Sequence, residues 1–144
     1  MKIRIFYDKT NYRFRGWRKA VRLIDKIIRS EGRISGQVNF IITTDQVLTQ
    51  INIEFLKHNY NTDVIAFEYN SGEKVNGEIY ISKDTVKTNA NNYNVSLHQE
   101  ILRVMIHGIL HLLGYTDKTN AEKEIMHRLE DKWLNEFTEI KDEI

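Results

Sequence analysis

The chain has 144 residues, 41% hydrophobic and 28% charged, with a formal charge of +1, seven Gly and neither Pro nor Cys. That length fits one domain, 1–144, able to bury about 70% of the surface its unfolded form exposes without any staple. The lack of Cys removes disulfides, thiolate metal sites and cysteine nucleophiles, so any metal must sit on His and carboxylates.

From the N-terminus, KIRIFY alternates apolar and charged residues and reads as a strand with Ile3 and Ile5 on one face. Trp17, Ala20, Val21, Leu23, Ile24, Ile27 and Ile28 recur at helical spacing, and Gly32 stops that helix. Its other face carries basic residues at 15, 18, 19, 22, 26 and 29. Residues 1–33 hold 11 Lys/Arg against 3 Asp/Glu, leaving 10 and 17 for the rest, so a charge of +8 is offset by one of −7. A phosphate-binding face and a solvated helix face both fit that asymmetry.

Residues 37–43 are β-rich, and Thr44 or Asp45 can cap a following helix that carries Val47, Leu48, Ile51, Phe55 and Leu56. VIAFEY and GEIYIS are two further strands around a turn in SGEKVNG. The polar, Asn-rich stretch 84–94 is expected to form a short helix with a loop. Ser96 with Gln99 opens a largely apolar helix that ends at Gly114, a buried central helix in this reading. Thr119 with Glu122 opens a last helix with Met126, Leu129, Trp133, Leu134 and Phe137 on one side. Helices and strands mix without strict βαβ alternation, which predicts an α+β protein with a small mixed sheet packed with helices around the central helix.

No apolar run reaches the roughly 18 to 20 residues of a membrane span, and MKIRIFYDKT lacks the apolar core of a secretory signal. A cytoplasmic protein without membrane partners is therefore expected.

His107 and His111 lie four residues apart on the central helix, about 40° apart around its axis, so both imidazoles can face one ion. Burying two imidazoles in an apolar helix without partners is costly, and a shared ion supplies the partner. A third ligand can come from the chain that turns back at Gly114. Asp117 is the favoured residue, with Tyr115 and Thr116 as weaker alternatives. Two His and a carboxylate leave one coordination position open, which is the catalytic type of zinc site. Gly108 stands where HExxH peptidases carry their general-base Glu, and this argues against zinc proteolysis. Glu100, seven residues before His107, reads either as a capping carboxylate in the first turn or as a partner of a ligand His. His58, His98 and His127 read as surface residues.

HGILHLLGYTD at 107–117 resembles the HGxLHLxGYDH signature of the YbeY family of bacterial rRNA-maturation factors. TDVIAF at 62–67 resembles the family's TDVLSF strand, GEIYIS at 77–82 its GDIxIS strand, and Ile51 with Asn52 its LN pair. Met126 and Glu130 fall where the family's last helix carries Met and Glu, so the resemblance runs from about residue 45 to the C-terminus.

This resemblance implies a zincin-like arrangement and a single-strand-specific, metal-dependent endoribonuclease. The implied role is small-subunit rRNA 3′-end maturation and ribosome quality control, with an rRNA precursor or the small ribosomal subunit as partner and one zinc ion (Zn2+) held by three His. Here Asp117 replaces the third His, and Thr116 the Asp before it. The family's catalytic Arg falls at Leu56, so its cationic role passes to Lys57 or to the basic N-terminal helix. Asp63 is the further catalytic candidate that the resemblance implies, and Arg15, Arg18 and Arg22 are the candidate RNA contacts. Two other functions fit the same residues: a non-catalytic ribosome-associated factor with a structural zinc, and a zinc hydrolase of another substrate.

Overall fold

The computed structural model describes residues 2–56 and 62–140, with the side chain of Leu56 outside the description. Lys57 and His58 lie outside the described residues. Strand β1 (Lys2–Tyr7) is followed by helix α1 (Trp17–Ser30), strand β2 (Ile34–Thr43) and helix α2 (Asp45–Ile51). A π-helical turn (Asn52–Leu56), strands β3 (Val64–Glu68) and β4 (Lys74–Ser82), and helices α3 (Lys83–Tyr93), α4 (Leu97–Leu112) and α5 (Asn120–Glu139) complete the described chain. This is the α+β class expected.

The sheet order is β1-β2-β4-β3, with β1, β2 and β4 parallel and β3 antiparallel at the edge. Alternation decides which side the helices cover. Val38, Phe40 and Ile42 of β2 and Ile79 and Ile81 of β4 are completely buried, and cross-strand pairing puts Phe40 beside Ile79. Trp17 of α1 meets Phe40 edge-on with ring centroids 5.8 Å apart, and α4 rests on Ile79, so both helices share this face. A Cβ at Gly77 would lie 2.7 Å from Leu112 Cδ1 and 2.7 Å from Phe67 O. Only Gly lets α4 come so close to β4 there.

Several boundaries differ from the sequence reading. β2 begins three residues early, and a register shift between Ser35 and Val38 absorbs the irregular start. The turn contracts to the segment closed by the Ser71–Lys74 bridge, so Lys74, Val75 and Asn76 belong to β4. The helix after Thr44 does not continue as one α-helix through Phe55. Its π-helical end widens the turn and rotates later residues off the apolar stripe, leaving Phe55 65% exposed. α3 is fully helical, capped by Ser82 and anchored through Val86 and Ala90. The Thr119–Glu122 capping box is present, and Met126 and Trp133 are buried as expected.

Candidate metal centre

Ser96 accepts a hydrogen bond from Gln99 N and starts α4, whose apolar residues fix its rotation against the sheet. That rotation puts His107 and His111 side by side, with their Nε2 atoms 2.9 Å apart. Gly114 takes φ 102 and turns the chain back, with its N–H donating to His111 O and that of Tyr115 to Leu110 O. Beyond the turn, Glu122 accepts hydrogen bonds from the N–H groups of Lys118 and Thr119. The loop is thus fixed at both ends, and Asp117 Oδ2 lies 3.3 Å from His107 Nε2 and 3.7 Å from His111 Nε2. Of the three residues open as third ligand, Asp117 joins the pair. The Tyr115 hydroxyl donates to Glu31, and that of Thr116 engages Glu122.

The donor set fits a metal ion. His107 Nδ1 is 2.6 Å from Glu130 Oε2, and His111 Nδ1 is 3.0 Å from the Tyr115 carbonyl oxygen. Both partners are acceptors, so both Nδ1 atoms carry protons, and the two Nε2 atoms are left to turn toward one ion beside Asp117. A tetrahedral zinc ion with Zn–N of about 2.0–2.1 Å holds its ligand atoms about 3.3 Å apart. The three separations here, 2.9, 3.3 and 3.7 Å, bracket that value. The side chain of Asp117 is 40% exposed, so the group is reached from solvent on its side.

Electrostatics separate the two imidazoles. Burial opposes charging His107, but the hydrogen bond and charge of Glu130, then Asp117 and Asp63, outweigh it and raise its pKa above the ordinary value. Burial and then the charge of His107 lower that of His111.

A cleft of about 340 Å³ adjoins His107 and is lined among others by Asp63, Glu100, Arg103, His127 and Glu130. Asp63 is therefore brought to the centre, with its pKa raised by burial against the pull of His107. Glu100 corrects the capping interpretation: it is 5% exposed and lies 3.9 Å from Arg103 Nε, with burial raising its pKa. The residue that bonds the ligand His is Glu130. The sequence did carry a signal for it, a carboxylate on the apolar stripe of α5 between Met126 and Trp133. Arg103, one turn before His107, was missed altogether. His98 is half-buried rather than free in solvent: its ring stacks on Phe14 at 4.4 Å and its Nε2 lies 2.8 Å from Arg15 O. His127 is a surface residue, with 68% of its side chain exposed.

Arg15, Arg18 and Arg22 are exposed; elsewhere on the stripe Lys26 pairs with Glu136 at 2.8 Å, and Lys19 lies 4.5 Å over the Phe137 ring. His98, which holds the Arg15 backbone, is nine residues before His107, about 14 Å along α4 and half a turn around it. The Arg15 end of the stripe therefore lies away from the metal centre, whereas the far end of α1 approaches the loop after α4, where Glu31 accepts from the Tyr115 hydroxyl.

Comparison with known proteins finds one family over nearly the whole chain. Residues 7–138 match the family described as Endoribonuclease YbeY. The Endoribonuclease YbeY of Flavobacterium psychrophilum is 37% identical over 132 residues, 92% of this chain and 94% of that protein. The protein of the same name from Christiangramia forsetii is 42% identical over 124 residues, 86% and 82% of the two chains. The solution structure of TM1509 from Thermotoga maritima superposes with a TM-score of 0.67 at 28% identity, covering 94% of this chain and 88% of that one.

Proposed function

The chain belongs to the Endoribonuclease YbeY family and is a hydrolase acting on RNA, and we propose that it cleaves single-stranded rRNA precursor at the 3′ end of the small-subunit RNA. The observation that carries the reading is the convergence of His107 Nε2, His111 Nε2 and Asp117 Oδ2, all within 4.8 Å of one another. We assign one zinc ion to them. When bound, it supplies Lewis acidity toward a phosphate oxygen.

The chain's own residues do the rest. His107 and His111 are held by acceptors on Nδ1, so their geometry is set before any substrate arrives. Asp63 borders the cleft and holds or passes a proton there, and Lys57 supplies the cation that the family places at Leu56. Among the described residues no helix is long and apolar enough to cross a membrane, in keeping with the cytoplasmic location we assign.

The test is product end-group analysis after incubating the pure protein with rRNA precursor, with and without chelator and with zinc restored. Metal-dependent cleavage to defined ends is expected, together with about one zinc per chain by elemental analysis. Asp117→His should keep the ion, since imidazole is an equally good ligand, and Asp117→Ala should weaken it. Ribosome binding without cleavage under every metal tested would point instead to a non-catalytic factor.

The basic stripe is proposed to hold RNA backbone away from the scissile bond. Reversing Arg15, Arg18 and Arg22 to Glu should weaken binding of long RNA irrespective of sequence. It should also flatten the salt dependence by about two units of log–log slope, roughly 0.7 for each lost phosphate contact on a single strand. Binding isotherms across a salt series check this, and an unchanged slope would leave the stripe as a solvated helix face.

A further inference from the structure

We propose that Glu130 and Arg103 are positioning residues of the metal centre: Arg103 holds the Glu130 carboxylate, and Glu130 holds His107 in the Nδ1–H tautomer, with Nε2 directed at the ion. The inference rests on the metal-binding assignment above and concerns what sets the ligand's geometry.

Glu130 stands on the buried stripe of α5 with 5% exposure, where a carboxylate is tolerated only if its oxygens are paired. Its two oxygens are divided between two tasks. Oε2 lies 2.6 Å from His107 Nδ1, and Oε1 lies 3.1 Å from Arg103 Nη1. The other end of the guanidinium is 2.7 Å from Asp131 Oδ1, and its Nε is 3.9 Å from Glu100 Oε1. Arg103 is thus surrounded by carboxylates from α4 and α5, and its fork spans Glu130 and Asp131.

That commitment assigns Arg103 a role different from the obvious one. With Leu56 at the family Arg position, a cation one turn before His107 is a natural candidate for meeting a phosphate. Its donors face carboxylates instead, and the cleft beside it is lined by Asp63, Glu100 and Glu130. An imidazole with no fixed acceptor on Nδ1 samples a second tautomer and a flipped ring, both of which place the wrong atom at the ion. A carboxylate on Nδ1–H removes those states, and an Arg on the carboxylate keeps it from swinging away. Because Glu130 and Asp131 are on α5 and Arg103 is on α4, the docking of the last helix and the set of the ligand are one linked arrangement.

Two measurements test this, and neither requires RNA hydrolysis, so their failure is distinguishable from failure of the nuclease reading. The first is zinc affinity by competition with a chromophoric chelator, using the full chain. Glu130→Ala and Glu130→Gln should bind zinc about 10–100-fold more weakly, Arg103→Met should move in the same direction by less, and Arg103→Lys should recover part of the loss. The second is the ring 15N pattern of His107 by NMR in metal-free and zinc-loaded wild-type protein, where a protonated Nδ1 is expected in both. If Glu130→Ala fails to fold, the wild-type tautomer and the Arg103 pair still decide. A His107 ring in the metal-free protein with its proton on Nε2 and none on Nδ1 overturns the proposal. So do affinities within about threefold of wild type in Glu130→Gln and Arg103→Met, well short of what an orienting partner contributes. If Arg103→Met then loses only cleavage, Arg103 is a phosphate ligand after all.

Discussion

His111→Ala is expected to weaken zinc binding by about two to three orders of magnitude, and metal-dependent RNA cleavage should fall with it. Four-ligand zinc sites bind with roughly 10–16 kcal/mol at neutral pH, so one ligand accounts for about 3–4 kcal/mol. Removing His111 leaves His107 and Asp117, too few to compete with ordinary buffers for the ion. His107→Ala should lose the metal to a similar degree and cost more stability in the metal-free protein. Its Nδ1 partner Glu130 is buried, and losing a hydrogen bond to a buried charged group costs about 1–3 kcal/mol or more. The Nδ1 partner of His111 is the carbonyl of Tyr115, in the turn after α4, where water can replace the ring. Chelator competition and thermal melts, each with and without zinc, check both halves. Stoichiometric zinc retained by His111→Ala, or cleavage by it that ignores chelator, would remove His107, His111 and Asp117 from the centre of the mechanism.

The two metal-site histidines were legible because helical spacing is local: an i, i+4 pair must share a face wherever the helix lies. Asp117 was legible one step further, through a glycine able to reverse the chain. Arg103 was not, and Glu130 was marked only as a carboxylate on an apolar stripe, since their pairing joins α4 to α5 across 27 positions of sequence and depends on how the two helices cross. Glu100 misled for a related reason. A carboxylate in the first turn of a helix suits the dipole and normally faces water, whereas here that face looks into the cleft. Among the elements, α5 was clear from its capping box and apolar stripe. The π-helical turn was invisible, because the residues before it fit an α-helical stripe and nothing local marks the widening. The start of β2 was missed because Ser35 and Gly36 break the alternation where the register shifts.

Gly108→Glu, which would restore the HExxH pattern of zinc peptidases, is expected to yield a protein that does not fold rather than a peptidase. Residue 108 faces the sheet. A Cβ there would sit 2.7 Å from Ile79 Cγ2, 3.1 Å from its Cδ1 and 3.3 Å from its Cγ1. Ile79 is β-branched, completely buried and paired with Phe40, itself completely buried, so it has little room to yield. α4 must therefore lift, and it would carry His107 and His111 with it, since they flank position 108 on the same helix. The methyl of Gly108→Ala should already cost about 1–3 kcal/mol by overpacking, seen as a drop of several degrees in the thermal midpoint. A buried, unpaired carboxylate adds several kcal/mol more, comparable with the whole stability of a domain this size. Zinc affinity should fall in Gly108→Ala even where the fold survives, because the two Nε2 atoms no longer meet Asp117 at their present distances. A Gly108→Ala protein that melts with the wild type, or a folded, zinc-binding Gly108→Glu protein, would mean that the sheet does not set the height of α4. The close packing of α4 on β4 would then no longer explain why glycine stands beside the first ligand.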